Sequence, residues 1–459
     1  MVAEEVDVVV IGTGPGGEDV ATRLARAGLS VVAVEARLVG GECPYFACIP
    51  TKMMVRAADA LAEARRVPEL AGVATVRADW APVAERLRDE ATTDWNDEAA
   101  VRRLEHTGGR VVRGVGRISA PGEVTVSSDG GEQVFRARRG IVLNPGTEPA
   151  VPPVDGLAGT PYWTNRDAVR ATAVPKSLLV LGAGPVGLEF AQVFARFGAS
   201  VTVVEMQSQL LPASEPEAAE VLTRVLRAEG VQVRVGTGLT RVSHDHEFRA
   251  ELGSGEVVTA ERLLVATGRR TDLAALGVAA VGLDDRARTI PVDGQMRAAD
   301  GVWAIGDVTG QGAFTHVSVY QARIAADDIL GQGTEIADYR AVPAVTFTDP
   351  EVATVGLTES AAEEQGLSVR AATTAIPSSP RGWIHKVGND GLIKVVADAD
   401  RSVLVGATVV APGGGEIIGA LAVAVHAEVP VSRLRQMIYA YPTFHRAIES
   451  ALAELDDAG

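Results

Sequence analysis

The chain has 459 residues, which at about 150 residues per domain suggests roughly three domains. Hydrophobic residues make up 47% and charged residues 22%, a balance that excludes disordered and collagen-like chains. The formal charge of −16 argues against nucleic acid or an anionic membrane as a partner, and no basic patch offsets it. No apolar run reaches the roughly 18 residues of a membrane span. The opening residues, Met1 to Asp7, are acidic, unlike a signal peptide, so the expected location is the cytoplasm. Only two cysteines occur, Cys43 and Cys48. Two thiols cannot supply a four-ligand zinc site, so no metal site is expected, and a redox pair is the natural reading.

Residues 6–11 form a short β-branched run that predicts a strand. The turn Gly12-Thr-Gly14-Pro-Gly-Gly17 follows, then an amphipathic helix over 19–27. A second strand over 30–34 ends at Glu35. The series strand, glycine turn, helix, strand, acid is the dinucleotide fingerprint. Its glycines let the backbone approach a pyrophosphate, and Glu35 can bind a ribose hydroxyl. The pattern repeats. A strand over 177–181 leads into Gly182-Ala-Gly184-Pro-Val-Gly187, a helix over 188–197, and a strand over 200–204 that ends at Glu205. Two dinucleotide sites in one chain imply electron transfer between two cofactors. The carboxylate at Glu205 repels a 2′-phosphate, and no arginine lies in residues 206–209, so NAD is favoured over NADP.

An Ala-, Arg- and Glu-rich stretch over 53–106 reads as a solvated helix pair. Strands follow over 110–142 and again, with turns, over 232–305. The segment 341–459 reads as an α+β unit, with strands at 344–347, 391–396 and 403–410 and helices at 415–426 and 443–454. The fold class is therefore α/β, with two Rossmann-like dinucleotide domains and a C-terminal α+β domain.

The cysteines lie in Gly40-Gly41-Glu42-Cys43-Pro44-Tyr45-Phe46-Ala47-Cys48-Ile49-Pro50-Thr51-Lys52. Five residues of regular helix rise about 7.5 Å, beyond the Cα spacing that a disulfide tolerates. The pair can bridge only if the helix is broken between them. Pro44 suits a first helical position, which would put Cys43 at a helix N-terminus. Buried, unreactive cysteines are the competing reading.

With these residues quoted, the chain resembles the flavoprotein disulfide reductases, the family of dihydrolipoamide dehydrogenase, mercuric reductase, glutathione reductase and mycothione reductase, over essentially its whole length. The stretch 40–52 resembles their redox motif, Ala266-Thr-Gly268-Arg-Arg the turn after their NAD domain, and Ala304-Ile-Gly306-Asp307 their second FAD contact. Residues 343–359 resemble the opening of their dimerisation domain. The resemblance implies an FAD domain with the redox pair over 1–150, an NAD domain over 151–275, a central segment over 276–340 completing the FAD domain, and a dimerisation domain over 341–459. It implies FAD held by Gly12, Gly14, Gly17, Glu35, Gly41, Lys52, Gly116, Gly146 and Asp307, and NAD(H) held by Gly182, Gly184, Gly187, Glu205 and Gly268. Cys48 would face the flavin, Cys43 would attack substrate, and Lys52 would pair with Glu189. A homodimer is implied.

Members acting on dithiols carry a His-Pro-x-x-x-Glu motif near the C-terminus. Here Tyr441 stands for its histidine and Arg446 for its glutamate. A phenol is a poor base at neutral pH. His445 is the nearest imidazole; a histidine on a helix surface is its bland reading. Glu42 places a carboxylate beside Cys43, which opposes thiolate formation. The cluster Arg381-Gly-Trp383-Ile-His385 reads as a surface loop or a substrate contact. The expected function is electron transfer from NADH through flavin and the cysteine pair to a disulfide other than lipoamide. A metal or quinone reductase and a flavin redox sensor are the alternatives.

Overall fold

The computed structural model describes residues 3–457. The chain forms two compact units. The first comprises Met1–Pro50, Arg86–Ala150 and Arg269–Asp338; the second comprises Thr51–Glu85, Val151–Gly268 and Tyr339–Gly459.

The first unit is built on a sheet whose central strands are parallel. Strand Glu4–Ile11 pairs with Val31–Glu35 on one side and Gly131–Leu143 on the other. Arg110–Arg113 and Val302–Ala304 extend the sheet in parallel. Val8, Val9 and Val10 are fully buried, as expected of a central parallel strand covered on both faces. Ile118, Phe135, Ile141 and Leu143 join Val9 in one core. The strand leaves its C-terminal edge into the first glycine turn, and helix Pro15–Arg26 follows. That helix begins four residues before the expected Asp19, because Pro15 takes the first helical position, where no N–H is needed.

The second unit contains a four-stranded parallel sheet in the order Gln232–Arg234, Ser200–Val204, Ser177–Leu181, Arg262–Val265. Its core is joined by an antiparallel meander, Leu239–His244, Phe248–Leu252 and Val257–Ala260. Helix Pro185–Arg196 leaves the second glycine turn. The same unit holds a five-stranded antiparallel sheet with helices Gly414–His426 and Ala447–Asp457. Strands Glu351–Gly356 and Val369–Ala375 of that sheet were not anticipated.

Three expectations need correction. The stretch 53–106 is not a simple helix pair. Helix Cys48–Leu70 ends before a non-helical run, and Ala81–Arg86, a π turn at Leu87–Ala91 and Glu98–His106 follow. The last helix starts at Ala447, not Thr443. Residues 444–446 instead accept i+3 hydrogen bonds from the N–H groups of 447–449, a tighter turn than an α-helix. Residues 380–385 are not a loop but a short helix, capped by the Ser379 hydroxyl.

Candidate active site

The two glycine turns are built alike. Gly12 has φ 89° and Gly182 has φ 101°, conformations that L-residues rarely adopt. A Cβ on Gly12 would lie 2.0 Å from the Asn144 carbonyl oxygen, and one on Gly182 would lie 2.4 Å from that of Ala266. A Cβ on Gly17 or Gly187 would strike the carbonyl of the first glycine at 2.0 or 2.2 Å. These glycines close the turn and seat the helix on it. The middle glycines differ. Nothing lies within 4 Å of a Cβ on Gly184, and a Cβ on Gly14 would meet only Asn144 Oδ1, at 3.5 Å. The open face beside a helix N-terminus is where a pyrophosphate fits.

The acids match as well. Glu35 accepts from the Thr13 N–H at 2.9 Å and, through its other oxygen, from the Arg37 N–H at 2.8 Å. Glu205 accepts from the Ala183 N–H and the Gln207 N–H, both at 2.8 Å. Each carboxylate is thus fixed across its turn, with lone pairs remaining for ribose hydroxyls. The residues present fit a dinucleotide at both turns.

Asn144 was not legible in the sequence. It directly follows strand Gly131–Leu143 and is buried. Its Oδ1 accepts from the Gly17 N–H at 2.7 Å, and its Nδ2 donates to the Ile305 carbonyl at 3.0 Å. It ties the glycine helix to the segment that carries Asp307. Asp307 accepts from Thr147 Oγ1 at 2.9 Å, next to Gly146, which has φ 66°. Gly116 lies in strand Val115–Ala120, where a Cβ would meet Val34 and Ile11 at 3.1 and 3.2 Å; packing alone accounts for its missing side chain. Gly268 has φ 103° and open space around it.

The redox loop is pinned to the first turn. Gly40 N–H donates to the Thr13 carbonyl at 2.8 Å, and a Cβ on Gly41 would lie 2.8 Å from the Gly14 Cα. Glu42–Tyr45 then forms a single helical turn. The chain breaks at Phe46, with φ −138°, and helix Cys48–Leu70 begins. The break between the cysteines is therefore present, but its arrangement differs from the expectation. Pro44 is the third residue of the short turn rather than the first. It is Cys48, not Cys43, that opens the long helix and faces its positive end. Both cysteines are half-buried. Tyr45 and Phe46 are buried, and Trp95 Nε1 donates to the Tyr45 carbonyl at 3.1 Å, which closes the turn.

Two contacts around the cysteines join residues far apart in sequence. Cys48 Sγ lies 3.5 Å from Thr315 Oγ1, and Thr315 is the first residue of helix Thr315–Ile329. Glu42 lies 3.5 Å from the guanidinium of Arg269, which also donates to Thr147 Oγ1 and to its carbonyl, each at 2.6 Å. The charge beside Cys43 is thus compensated, a cation that the local sequence did not reveal.

In the second unit, Lys52 Nζ meets Glu189 Oε2 at 2.7 Å and lies 4.7 Å from the centre of the Phe347 ring. Glu189 is 5% exposed, so the pair satisfies a buried carboxylate. The C-terminal candidates do not pair with each other. Tyr441 is 69% exposed and lies under the Arg446 guanidinium, which is bonded to Glu449 at 3.0 Å. The His445 ring faces Tyr439 at 6.1 Å. His445 lies in the turn before the last helix rather than on the helix. Arg381 and His385 both pack against the Phe444 ring, at 5.4 Å, while Trp383 is exposed. Burial pushes the His385 imidazole below its ordinary value.

Among the described residues no cluster of histidine, cysteine and carboxylate side chains could hold a metal ion. No helix among them is long and apolar enough to cross a membrane.

The sequence matches the family model for pyridine nucleotide-disulphide oxidoreductases over residues 6–322 and the model for their dimerisation domain over 342–452. It is 35% identical to a dihydrolipoyl dehydrogenase of Thermus scotoductus, over 98% of this chain and 97% of that one. It is 34% identical to a mercuric reductase of Acidithiobacillus ferrooxidans, over 98% and 82%. Among solved structures, the Cu(II) complex of the HOCl-induced flavoprotein disulfide reductase RclA from Escherichia coli superimposes with a TM-score of 0.86, at 27% identity and 98% and 99% coverage. The twin cradles and these likenesses agree: the chain belongs to the pyridine nucleotide-disulphide oxidoreductases, a family that uses FAD and NAD(P)H, and it carries their dimerisation domain.

Proposed function

We propose that the protein is a homodimeric NADH-dependent reductase that passes two electrons through FAD and the Cys43–Cys48 pair to a disulfide other than lipoamide. The observation that carries this reading is the placement of Cys48, at the start of a 23-residue helix and within reach of the Thr315 hydroxyl, where a thiolate is stabilised. FAD, when bound, supplies the two-electron link between NADH and the cysteines. Gly12, Gly14, Gly17, Glu35, Gly41, Gly146 and Asp307 would hold it, with Lys52 beside its ring, and Gly182, Gly184, Gly187, Glu205 and Gly268 would hold NADH. Glu205 favours NADH, because its carboxylate repels a 2′-phosphate.

The chemistry at the cysteines balances. The Cys43 thiolate attacks one sulfur of the acceptor and expels the other half as a thiolate. The Cys48 thiolate then attacks Cys43 Sγ, releases the second half and restores the Cys43–Cys48 disulfide. Two electrons from NADH and two protons, one from NADH itself and one from solvent, complete the reduction of one disulfide to two thiols. Glu42 is held by Arg269 and so opposes the Cys43 thiolate less than its position suggests.

The 441–446 turn supports a second reading. Arg446 stands at the position of the family's orienting glutamate and bonds Glu449 at 3.0 Å. An acceptor that needs no protonated leaving thiol, such as a metal ion or a quinone, suits that turn. The similarity to a mercuric reductase and to a copper complex points the same way.

An anaerobic titration with NADH separates these readings from an uncoupled flavoprotein. A long-wavelength thiolate-to-flavin band after two electrons, lost in Cys48→Ser, supports the redox pair. Bleaching by one equivalent with no such band overturns it. Disulfide turnover that survives Cys43→Ser would exclude the first reading, and metal or quinone turnover with no disulfide turnover would establish the second.

A further inference from the structure

Helix Pro185–Arg196 turns one buried face towards two other segments of its own unit. Glu189, Gln192 and Arg196 lie at helical spacing on that face, and each is 5% exposed or less. Glu189 divides its carboxylate. One oxygen accepts from Lys52 at 2.7 Å, and the other accepts from the Phe347 N–H at 2.9 Å. Gln192 reaches the same segment two residues later. Its Nε2 donates to the Asp349 carbonyl at 2.9 Å, and its Oε1 accepts from the Asp349 N–H at 2.8 Å. This is the two-point pattern of a strand pair, made by one side-chain amide. Arg196 adds an ion pair to the Asp349 carboxylate at 2.8 Å.

We infer that Gln192 is a positioning residue for the Lys52–Glu189 pair, holding the segment 347–349 in the register that presents the Phe347 N–H to Glu189 and the Phe347 ring to Lys52. The inference rests on the proposed place of Lys52 beside the flavin. The physical argument is one of counting. Lys52 is one-third exposed and has a flexible four-carbon stem, so its direction is set by what Glu189 and Phe347 allow. Glu189 has two oxygens and two donors. Removing the Phe347 N–H would free the carboxylate to rotate and take the ammonium with it. Arg196 and, at 2.7 Å, Arg66 anchor the Asp349 carboxylate, but a carboxylate on a rotatable side chain does not fix the backbone that carries it. The amide of Gln192 does, because it reads both polar atoms of the Asp349 backbone and tolerates no slip along it.

The test is a double-mutant cycle on the holoenzyme, read as the rate at which NADH reduces the bound flavin. Gln192→Met keeps the side-chain volume and removes both hydrogen bonds to the Asp349 backbone, together with the longer contacts of Nε2 to the Glu229 carboxylate at 3.3 Å. It should slow reduction roughly tenfold in the wild-type background and less than about twofold in Glu189→Gln, because interacting positions are non-additive. FAD content is measured alongside. Equal fold-losses in the two backgrounds would assign Gln192 a merely structural role and overturn the inference, as would no loss in the wild-type background. If Glu189→Gln alone leaves the rate unchanged, the proposed role of Lys52 fails first, and this inference falls with it. Gln192→Glu keeps the acceptor for the Asp349 N–H and serves if the methionine variant does not fold. Its loss should be smaller than that of Gln192→Met and likewise absent in Glu189→Gln; an equal loss in both backgrounds overturns the inference here too.

Discussion

Cys48 and Thr315 are 267 positions apart, yet a thiol and a hydroxyl meet at 3.5 Å where each residue opens its own helix. The sulfur therefore lies at the start of its own helix and beside the hydroxyl that opens the other. A hydrogen bond to a charged group contributes about 1.5–3 kcal/mol, or roughly one to two pH units for a titrating acceptor. Thr315→Val should move the pH midpoint of the thiolate-to-flavin band upward by about that much, and Thr315→Ser should not. A midpoint unmoved by valine would show that the hydroxyl is not the donor.

Glu205 is held across its turn by two backbone N–H groups, so its carboxylate is placed before any nucleotide arrives. Glu205→Ala removes acceptors for ribose hydroxyls. Its kcat/KM for NADH should fall about 10- to 100-fold, the worth of one or two charge-assisted hydrogen bonds. The value for NADPH should fall less, because the repulsion goes too. Steady-state kinetics with both nucleotides decides it.

Gly12→Ala carries two penalties. The left-handed backbone costs an L-residue about 1–2 kcal/mol, and the added Cβ would sit 2.0 Å from a carbonyl oxygen. Gly28 has φ 87° but nothing within 4 Å of a Cβ, so Gly28→Ala carries only the first. Purified Gly12→Ala should contain little FAD and melt well below Gly28→Ala. Equal melting points and full FAD in both would contradict the clash.

Asp59 pairs with the nearly buried Arg196 at 2.7 Å, yet burial outweighs that cation and pushes its carboxyl up to about 6. The folded chain therefore binds this proton before the unfolded chain does as pH falls. Between about pH 4 and 6 the folded state holds more protons, so this group lowers stability as pH rises through that window. Asp59→Asn keeps an acceptor for Arg196 and does not titrate. Its melting point relative to wild type should rise from pH 4 to pH 7. A constant difference would mean that Asp59 does not titrate in this range.

The parts of the site that the sequence revealed are those whose causes are local. Each cradle runs from a strand through three glycines to an acid within about thirty residues, and every step has its own residue signature. The break between the cysteines is what a bridging pair would require, because a disulfide cannot span five residues of regular helix. What stayed hidden depends on partners that arrive from elsewhere. Thr315 at Cys48, Arg269 at Glu42 and Asn144 under Gly17 are polar residues of ordinary type, and only the fold brings them in. The late start of the last helix has a local cause that periodicity does not register: apolar spacing is the same for an α-turn and for the tighter i+3 turn at 444–446.

The gap at residues 46–47 also divides the two sulfurs mechanically. Cys48 belongs to an element of 23 residues, whose hydrogen bonds reinforce one another along its length. Cys43 belongs to four residues, too few for such cooperativity, braced from outside by Arg269 at Glu42, by Trp95 at the Tyr45 carbonyl and by the glycines before it. Amide exchange should accordingly be faster at 42–45 than along 52–60. The pair has one stiff member and one compliant member. Electrons would reach a sulfur whose position is fixed and leave from one that can follow its target.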